Sequence, residues 1–302
     1  MRVLLLCAAF LLGLIVMGVS AAVSAQQVAA RATEDRPDVS QDYQVHLVYA
    51  LPKDGKDRNL DTDGTIARSF SKANEWFAEQ SGGPGLRLDR AVDGSVDVSF
   101  VRLSQTDKQI RKAGAWVRDE IEKEINALGF NDPKKVYLVY YDGRSNFACG
   151  GGAWPPKLKG NTAALYLRAF VSGNACYGVG FATKDGQGPS YTEFSAIHEI
   201  FHTLGFVPEC SPHHTRAGHT SGGNTDLMYA GDQAWRPRRI DIGNDDYYSH
   251  GLDACPDLAN SVFLDTPSSG TELPPTWTAG VQCTYLGYGK RECRGVEQAG
   301  AE

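Results

Sequence analysis

The segment SYTEFSAIHEIFHTLGF, from Ser190 to Phe206, constrains this chain more than any other stretch. Phe194, Ile197, Phe201 and Leu204 recur at helical spacing and predict a helix with one apolar face to bury. Ser190 and Glu193 form an S-x-x-E capping box at its start. Gly205 supplies the residue type that ends helices. Within the helix stands His198-Glu199-Ile200-Phe201-His202. Residues four apart share a helix face, so both imidazoles reach one metal ion while Glu199 sits beside it to handle a proton. The plain alternative is a buried helix that carries two histidines by chance. The cap and the apolar register argue against it, as does a cluster of five of the seven histidines between His198 and His219. A methionine, Met228, follows in TDLMY.

HEIFHTLGF followed by DLMY resembles the metzincin group of zinc metallopeptidases. Their signature is H-E-x-x-H-x-x-G-x-x-H with a Met-turn further on. The resemblance covers about forty residues. It implies that His198 and His202 are zinc ligands, Glu199 the general base, Gly205 the turn glycine and Met228 the methionine beneath the metal. The pattern would put the third ligand at Pro208, which cannot bind zinc. His213, His214 and His219 are the candidates, displaced by the insertion PECSPHHTRAG. Leishmanolysin-type metzincins also carry an insertion there. His219 is favoured, since it follows Gly218, precedes Met228 by nine residues and leads into the polar turn TSGGNTD. Asp226 is either an oxygen ligand or a turn residue that bonds nearby backbone N–H groups.

The fold implied is α+β, a metzincin-like mixed twisted sheet with an active-site helix and a long backing helix. A loop-rich C-terminal subdomain with disulfides would follow. The activity implied is that of a secreted zinc-dependent endopeptidase acting on peptide or protein substrates through a metal-activated water. A non-catalytic secreted module with a structural zinc is the rival reading, and a zinc hydrolase acting on a non-peptide bond is another.

The chain has 302 residues and 42% hydrophobic composition, ample for one large domain or one domain plus an appendage. Residues 1–25 hold one charged residue, Arg2, an apolar run from Val3 to about Val19 and small residues at Val23-Ser24-Ala25. They read as a signal peptide cut after Ala25, with an uncleaved anchor as the alternative. Residues 26–42 read as a flexible N-terminal segment, 43–264 as the zinc metallopeptidase-like domain and 265–302 as a linker plus a small disulfide-closed appendage. The remainder after Ala25 has 29 basic and 36 acidic residues, with no basic patch, so a nucleic-acid partner is not expected. The mature chain is expected to be a monomer away from the membrane. Six cysteines in an exported chain predict disulfides, paired in sequence as Cys149–Cys176, Cys210–Cys255 and Cys283–Cys293.

Tyr43–Ala50, Leu86–Leu88, Val96–Leu103 and Ala163–Arg168 read as strands, and Lys135–Tyr141 as a central buried one. LDTDG at Leu60–Gly64 lacks the later glutamate of a calcium loop and reads as a helix start. Ile66, Phe70, Ala73 and Phe77 mark that helix, and Trp76 on it reads as core. Thr106–Gly129 reads as one long helix with Ile110, Ala113, Val117, Ile121 and Ile125 or Leu128 inward, and Arg118, Glu120 and Lys123 on a solvated face. Cys149–Gly152 reads as a disulfide-tethered loop. By the resemblance, the strand at Ala163–Arg168 or its neighbour pairs with an extended substrate. His46 reads as packed or surface, and His250 as surface. Asp241, Asn244, Asp245 and Asp246 could take calcium, but a turn with solvated acids is favoured. Tyr229, Tyr247 and Tyr248 are candidates for a phenol that stabilises an oxyanion, against core packing for each.

Overall fold

The computed structural model describes residues 31–155, 157–178 and 180–266, together with the backbone of a hairpin at 281–287 and 290–295. The expected signal segment lies outside the described residues.

Two strands hold the centre of the sheet because their sequences are apolar on both faces. They are β1 (Gln44–Leu51) and β3 (Lys135–Tyr141), and every residue of both is buried. Alternate side chains point to opposite sides. Leu47, Tyr49, Leu138 and Tyr140 join one core, while Val48, Ala50, Val139 and Tyr141 join the other. Around them lie β2 (Val98–Arg102), β5 (Leu158–Tyr166) and β4 (Gly150–Trp154), in the order β2-β1-β3-β5-β4. All neighbours are parallel except β4, which runs antiparallel to β5 at the edge.

One face is covered by α1 (Thr65–Ser81) and α4 (Tyr191–Thr203). Ile66, Phe70, Ala73 and Phe77 of α1 meet Ile197, Ile200 and Phe201 of α4 in the first core. Phe77 and Phe201 pack edge to face at 5.4 Å, and each such buried side chain contributes about 1.5–3 kcal/mol. Trp76 packs against the same core. The capping box forms, with the Ser190 N–H donating to Glu193 at 2.9 Å. Glu193 does more than cap, because its fully buried carboxylate also accepts from Ser69 of α1 and from the Ala182 N–H. The two helices are therefore bracketed by one carboxyl group.

The other face shows two corrections. Thr106–Gly129 is not one helix but α2 (Asp107–Arg111), a 3₁₀ turn at Gly114–Trp116 and α3 (Val117–Ala127). Gly114 sits at φ +61°, a left-handed conformation that ends the helical ladder. Ile110, Val117, Ile121 and Ile125 face inward, and Leu128 is exposed. Arg118 is not on a solvated face: it is 2% exposed and bonds Asp119, Glu122 and the Thr162 carbonyl. A buried guanidinium is tolerated where acids and carbonyls satisfy it. Glu120 and Lys123 do reach solvent.

Residues 31–42 are tied down rather than loose. Arg31 bonds Asp57 and Asp61 and lies 4.0 Å over Phe100. Arg36 pairs with Asp97, and Lys135 reaches Asp35, Asp38 and Asp89. A polar segment reads as solvated from composition, but here its charges find partners along the sheet. His46 is fully buried between Asp89 (2.6 Å) and Ser99 (3.1 Å).

Cys149–Cys176 and Cys210–Cys255 form. β10 (Val281–Gly287) and β11 (Lys290–Gly295) are antiparallel and place Cys283 opposite Cys293. The side chains of that third expected bridge, and most of the linker before it, lie outside the described residues.

Candidate metal centre

Helix α4 delivers His198 and His202 one turn apart. Leu204 caps it, and Gly205 at φ +93° turns the chain away. The returning backbone is fastened where the Val207 N–H meets the Gly218 carbonyl at 3.0 Å. Gly218 leads into a short hairpin, β8 (His214–Thr215) with β9 (His219–Thr220), and His219 lies on its second strand.

The three Nε2 atoms converge. His202 Nε2 lies 3.0 Å from that of His198 and 3.1 Å from that of His219. Two of the rings have their tautomers set by the backbone. His198 Nδ1–H donates to the Leu227 carbonyl at 2.8 Å, and His219 Nδ1–H donates to the Arg216 carbonyl at 3.2 Å. Carbonyls only accept, so both Nε2 atoms present lone pairs to the common centre. Burial holds all three imidazoles below their ordinary range, His198 down to about 3, with the His219 ring adding to the effect at His198 and His202. Neutral rings aimed at one point suit a cation.

Glu199 stands beside them, 9% exposed. Burial pushes its carboxyl up to about 8, against a backbone hydrogen bond from Gly152 and the charge of Arg118. Met228 is fully buried, and the Thr220 N–H bonds its carbonyl at 3.0 Å. The same turn thus touches both histidine-bearing elements.

The other candidates sit elsewhere. His213 bonds Asp246, and His214 bonds the Val207 carbonyl and stacks on Trp154. Asp226 accepts from the N–H groups of Met228 and Ile242 and from the Tyr247 hydroxyl, as a turn residue does. Asp241 takes three backbone N–H groups, from residues 246, 247 and 248. Tyr248 bonds the Ser81 carbonyl. Of the three tyrosines, Tyr229 alone lines the cleft.

That cleft has a volume of ≈ 590 Å³ and runs beside β4. The CGGGAW stretch is therefore an edge strand as well as a disulfide-tethered one, which corrects the loop reading. Its glycines let α4 come close. A methyl on Gly152 would lie 2.4 Å from the Glu199 carbonyl oxygen and 2.6 Å from His202 Cβ. Gly152→Ala is expected to lift α4 from the sheet and to destabilise the protein by about 1–3 kcal/mol. Urea denaturation measures this, and an unchanged midpoint would contradict the contact.

Arg118, Tyr191 and Trp235 also line the cleft, and sequence reading missed their part in it. Trp235 packs 5.5 Å from His198 and bonds the Asp226 and Leu227 carbonyls. The signal available was a lone tryptophan in polar surroundings soon after Met228.

No family model and no curated protein matches the chain. Among solved structures it is similar to archaemetzincin from Methanopyrus kandleri at 14% identity, covering 66% of this chain and 89% of that one, with a TM-score of 0.36. It is similar to OgpA from Akkermansia muciniphila at 13% identity, covering 56% of this chain and 50% of that one, with a TM-score of 0.35. The chain thus spans half the length of OgpA. Likeness of this size fixes neither the activity nor the substrate of this chain.

Proposed function

We propose that this chain is a secreted zinc-dependent endopeptidase in which His198, His202 and His219 hold the metal and Glu199 is the general base. The observation that carries the reading is the convergence of three neutral imidazoles beside one buried carboxyl in an open cleft. The donor set fits zinc. Ligands at roughly 2.0–2.1 Å in a tetrahedron stand about 3.3 Å apart, close to the 3.0 and 3.1 Å separations. When bound, zinc would supply Lewis acidity to water and to a substrate carbonyl.

Glu199 takes the water proton and returns it to the leaving amine. A positioned carboxylate accepts a proton and, once protonated, can donate it. Tyr229 lines the same cleft and its oxygen accepts from the Gln233 N–H, which makes it our candidate for a phenol that donates to the developing oxyanion. The substrate lies extended along β4, whose only strand neighbour among the described residues is β5. The glycines of β4 leave that edge open for main-chain pairing.

A purely structural zinc is normally closed by four protein ligands. Among the described residues the group here comprises three donors, His198, His202 and His219. That favours an open site over the rival reading. The two disulfides suit an oxidising compartment. No helix among the described residues is long and apolar enough to cross a membrane.

The test is digestion of a peptide library by purified protein, with and without chelator. Cleavage is expected to vanish with chelator and to return with added zinc. Chelator-insensitive cleavage, or none with zinc present, would reject the assignment.

Burial also predicts the pH response of metal binding. Three exposed imidazoles with pKa near 6.5 would lose zinc affinity on the order of 10⁴-fold between pH 7 and 5, as protons compete. Here the rings stay neutral because burial lowers their pKa values. In a Glu199→Gln protein, which removes the adjacent titrating carboxyl, zinc affinity is expected to fall much less than that over the same range. Competition with a chelator of known affinity at each pH measures it.

A further inference from the structure

His198 and His202 are spaced by their helix, but nothing of that kind spaces His219. It sits on a hairpin of two residue pairs, His214 with Thr220 and Thr215 with His219. So short a ribbon has little stability alone. Its strand ends are fastened. Asp246, fully buried, accepts from the Thr220 hydroxyl at 2.6 Å and from the His213 N–H at 2.8 Å. The Cys210–Cys255 bridge ties the approach. The turn between the strands is held by one backbone bond, from the Val207 N–H to the Gly218 carbonyl at 3.0 Å, and its Arg216 carbonyl orients the His219 ring. Ala217 and Gly218 there are both left-handed, at φ +65° and +72°.

Trp154, the last residue of β4, covers that turn. Its indole stacks on His214 with ring centroids 5.8 Å apart and planes 14° from parallel. It also fills the space over Gly218, where a methyl would lie 2.2 Å from Nε1. The indole Nε1 is buried and has no hydrogen-bond partner among the described residues. An unpaired buried donor costs stability, so the ring holds its place by shape and not by bonding. Two residues earlier on the same strand, Gly152 abuts Glu199 and His202 of α4. One strand therefore contacts both ligand-bearing elements.

We propose that Trp154 is a positioning residue that sets the His219-bearing hairpin against α4, and so fixes the distance between the third imidazole and the first two. This rests on the reading of His219 as a zinc ligand. Substrate pairing along β4 and metal retention then share one strand.

The test measures zinc affinity by chelator competition, together with the visible absorption of the cobalt-substituted protein. Trp154→Ala is expected to weaken zinc about 10- to 100-fold, the usual effect of losing a group that orients a ligand. Its cobalt bands should shift while the metal-free protein melts where the metal-free parent does. Trp154→Phe, which keeps a flat ring, should stay within about threefold of the parent. Parent affinity and an unshifted spectrum in Trp154→Ala would overturn the proposal. So would a loss of affinity matched by an equal loss of metal-free stability.

If Trp154→Ala does not fold, the stacking partner decides. His214→Ala should weaken zinc and His214→Phe should restore it. Equal loss in both would trace the effect to the His214 nitrogens, as a ligand or through the Val207 carbonyl, and reject the positioning role, and no loss in either would reject it as well. A parent that binds no zinc would instead remove the three-histidine reading on which the proposal stands.

Discussion

Zinc-loaded protein carrying Glu199→Gln is expected to keep its metal and to hydrolyse peptides about 10²- to 10⁴-fold more slowly than the parent, the usual contribution of a positioned general base. The amide is nearly isosteric with the carboxyl, so α4 should pack as before. It cannot accept a proton, and the cleft offers no ready substitute. The nearest acid among the cleft-lining residues, Asp119, bonds Arg118. Burial favours the neutral form of Glu199, and the Gly152 N–H and the charge of Arg118 act the other way, towards the ionised base. Steady-state hydrolysis and zinc content should be measured on the same sample. Parent-like turnover with full zinc would end the assignment of Glu199. Loss of both zinc and turnover would show that the side chain serves the fold or the metal site instead.

His219→Ala is expected to lower zinc affinity by more than about 100-fold, since changing a group that merely orients a ligand already costs 10- to 100-fold. His213→Ala should leave affinity at the parent level. The difference follows from where the rings stand. His219 Nε2 is 3.1 Å from His202 Nε2, whereas His213 is engaged by Asp246. Dialysis followed by metal analysis gives the stoichiometry, and chelator competition gives the affinity. Full zinc in His219→Ala with loss in His213→Ala would move the third ligand into the insertion and undo the proposed geometry.

The central strands, α1, α4 and its capping box were legible because each rests on local rules. Those rules are period-2 or period-3.6 apolar spacing, cap chemistry and glycine at the helix end. The pair His198–His202 with Glu199 between them was legible for the same reason, since helical pitch alone brings i and i+4 together. The sequential pairing of Cys149–Cys176 and Cys210–Cys255 was also expected, and those bridges form. Arg118 was misread because its partners include the Thr162 carbonyl, 44 residues away. No spacing rule reaches so far. Gly114 was passed over because a single glycine is tolerated inside a helical pattern, and only its left-handed backbone ends the helix.

By itself the sequence determined the central strands, α1 and α4, and which two imidazoles share a face, since hydrogen-bonded turns and side-chain periodicity act between near neighbours. The sequence favoured His219 over His213 and His214, and the tertiary fold brings the His219 ring against those two imidazoles. Only the tertiary structure decided that a glycine strand ending in Trp154 stands against both halves of the cluster. Those choices depend on close packing between segments far apart in the chain, where the absence of a methyl group or the presence of a flat ring sets the distance.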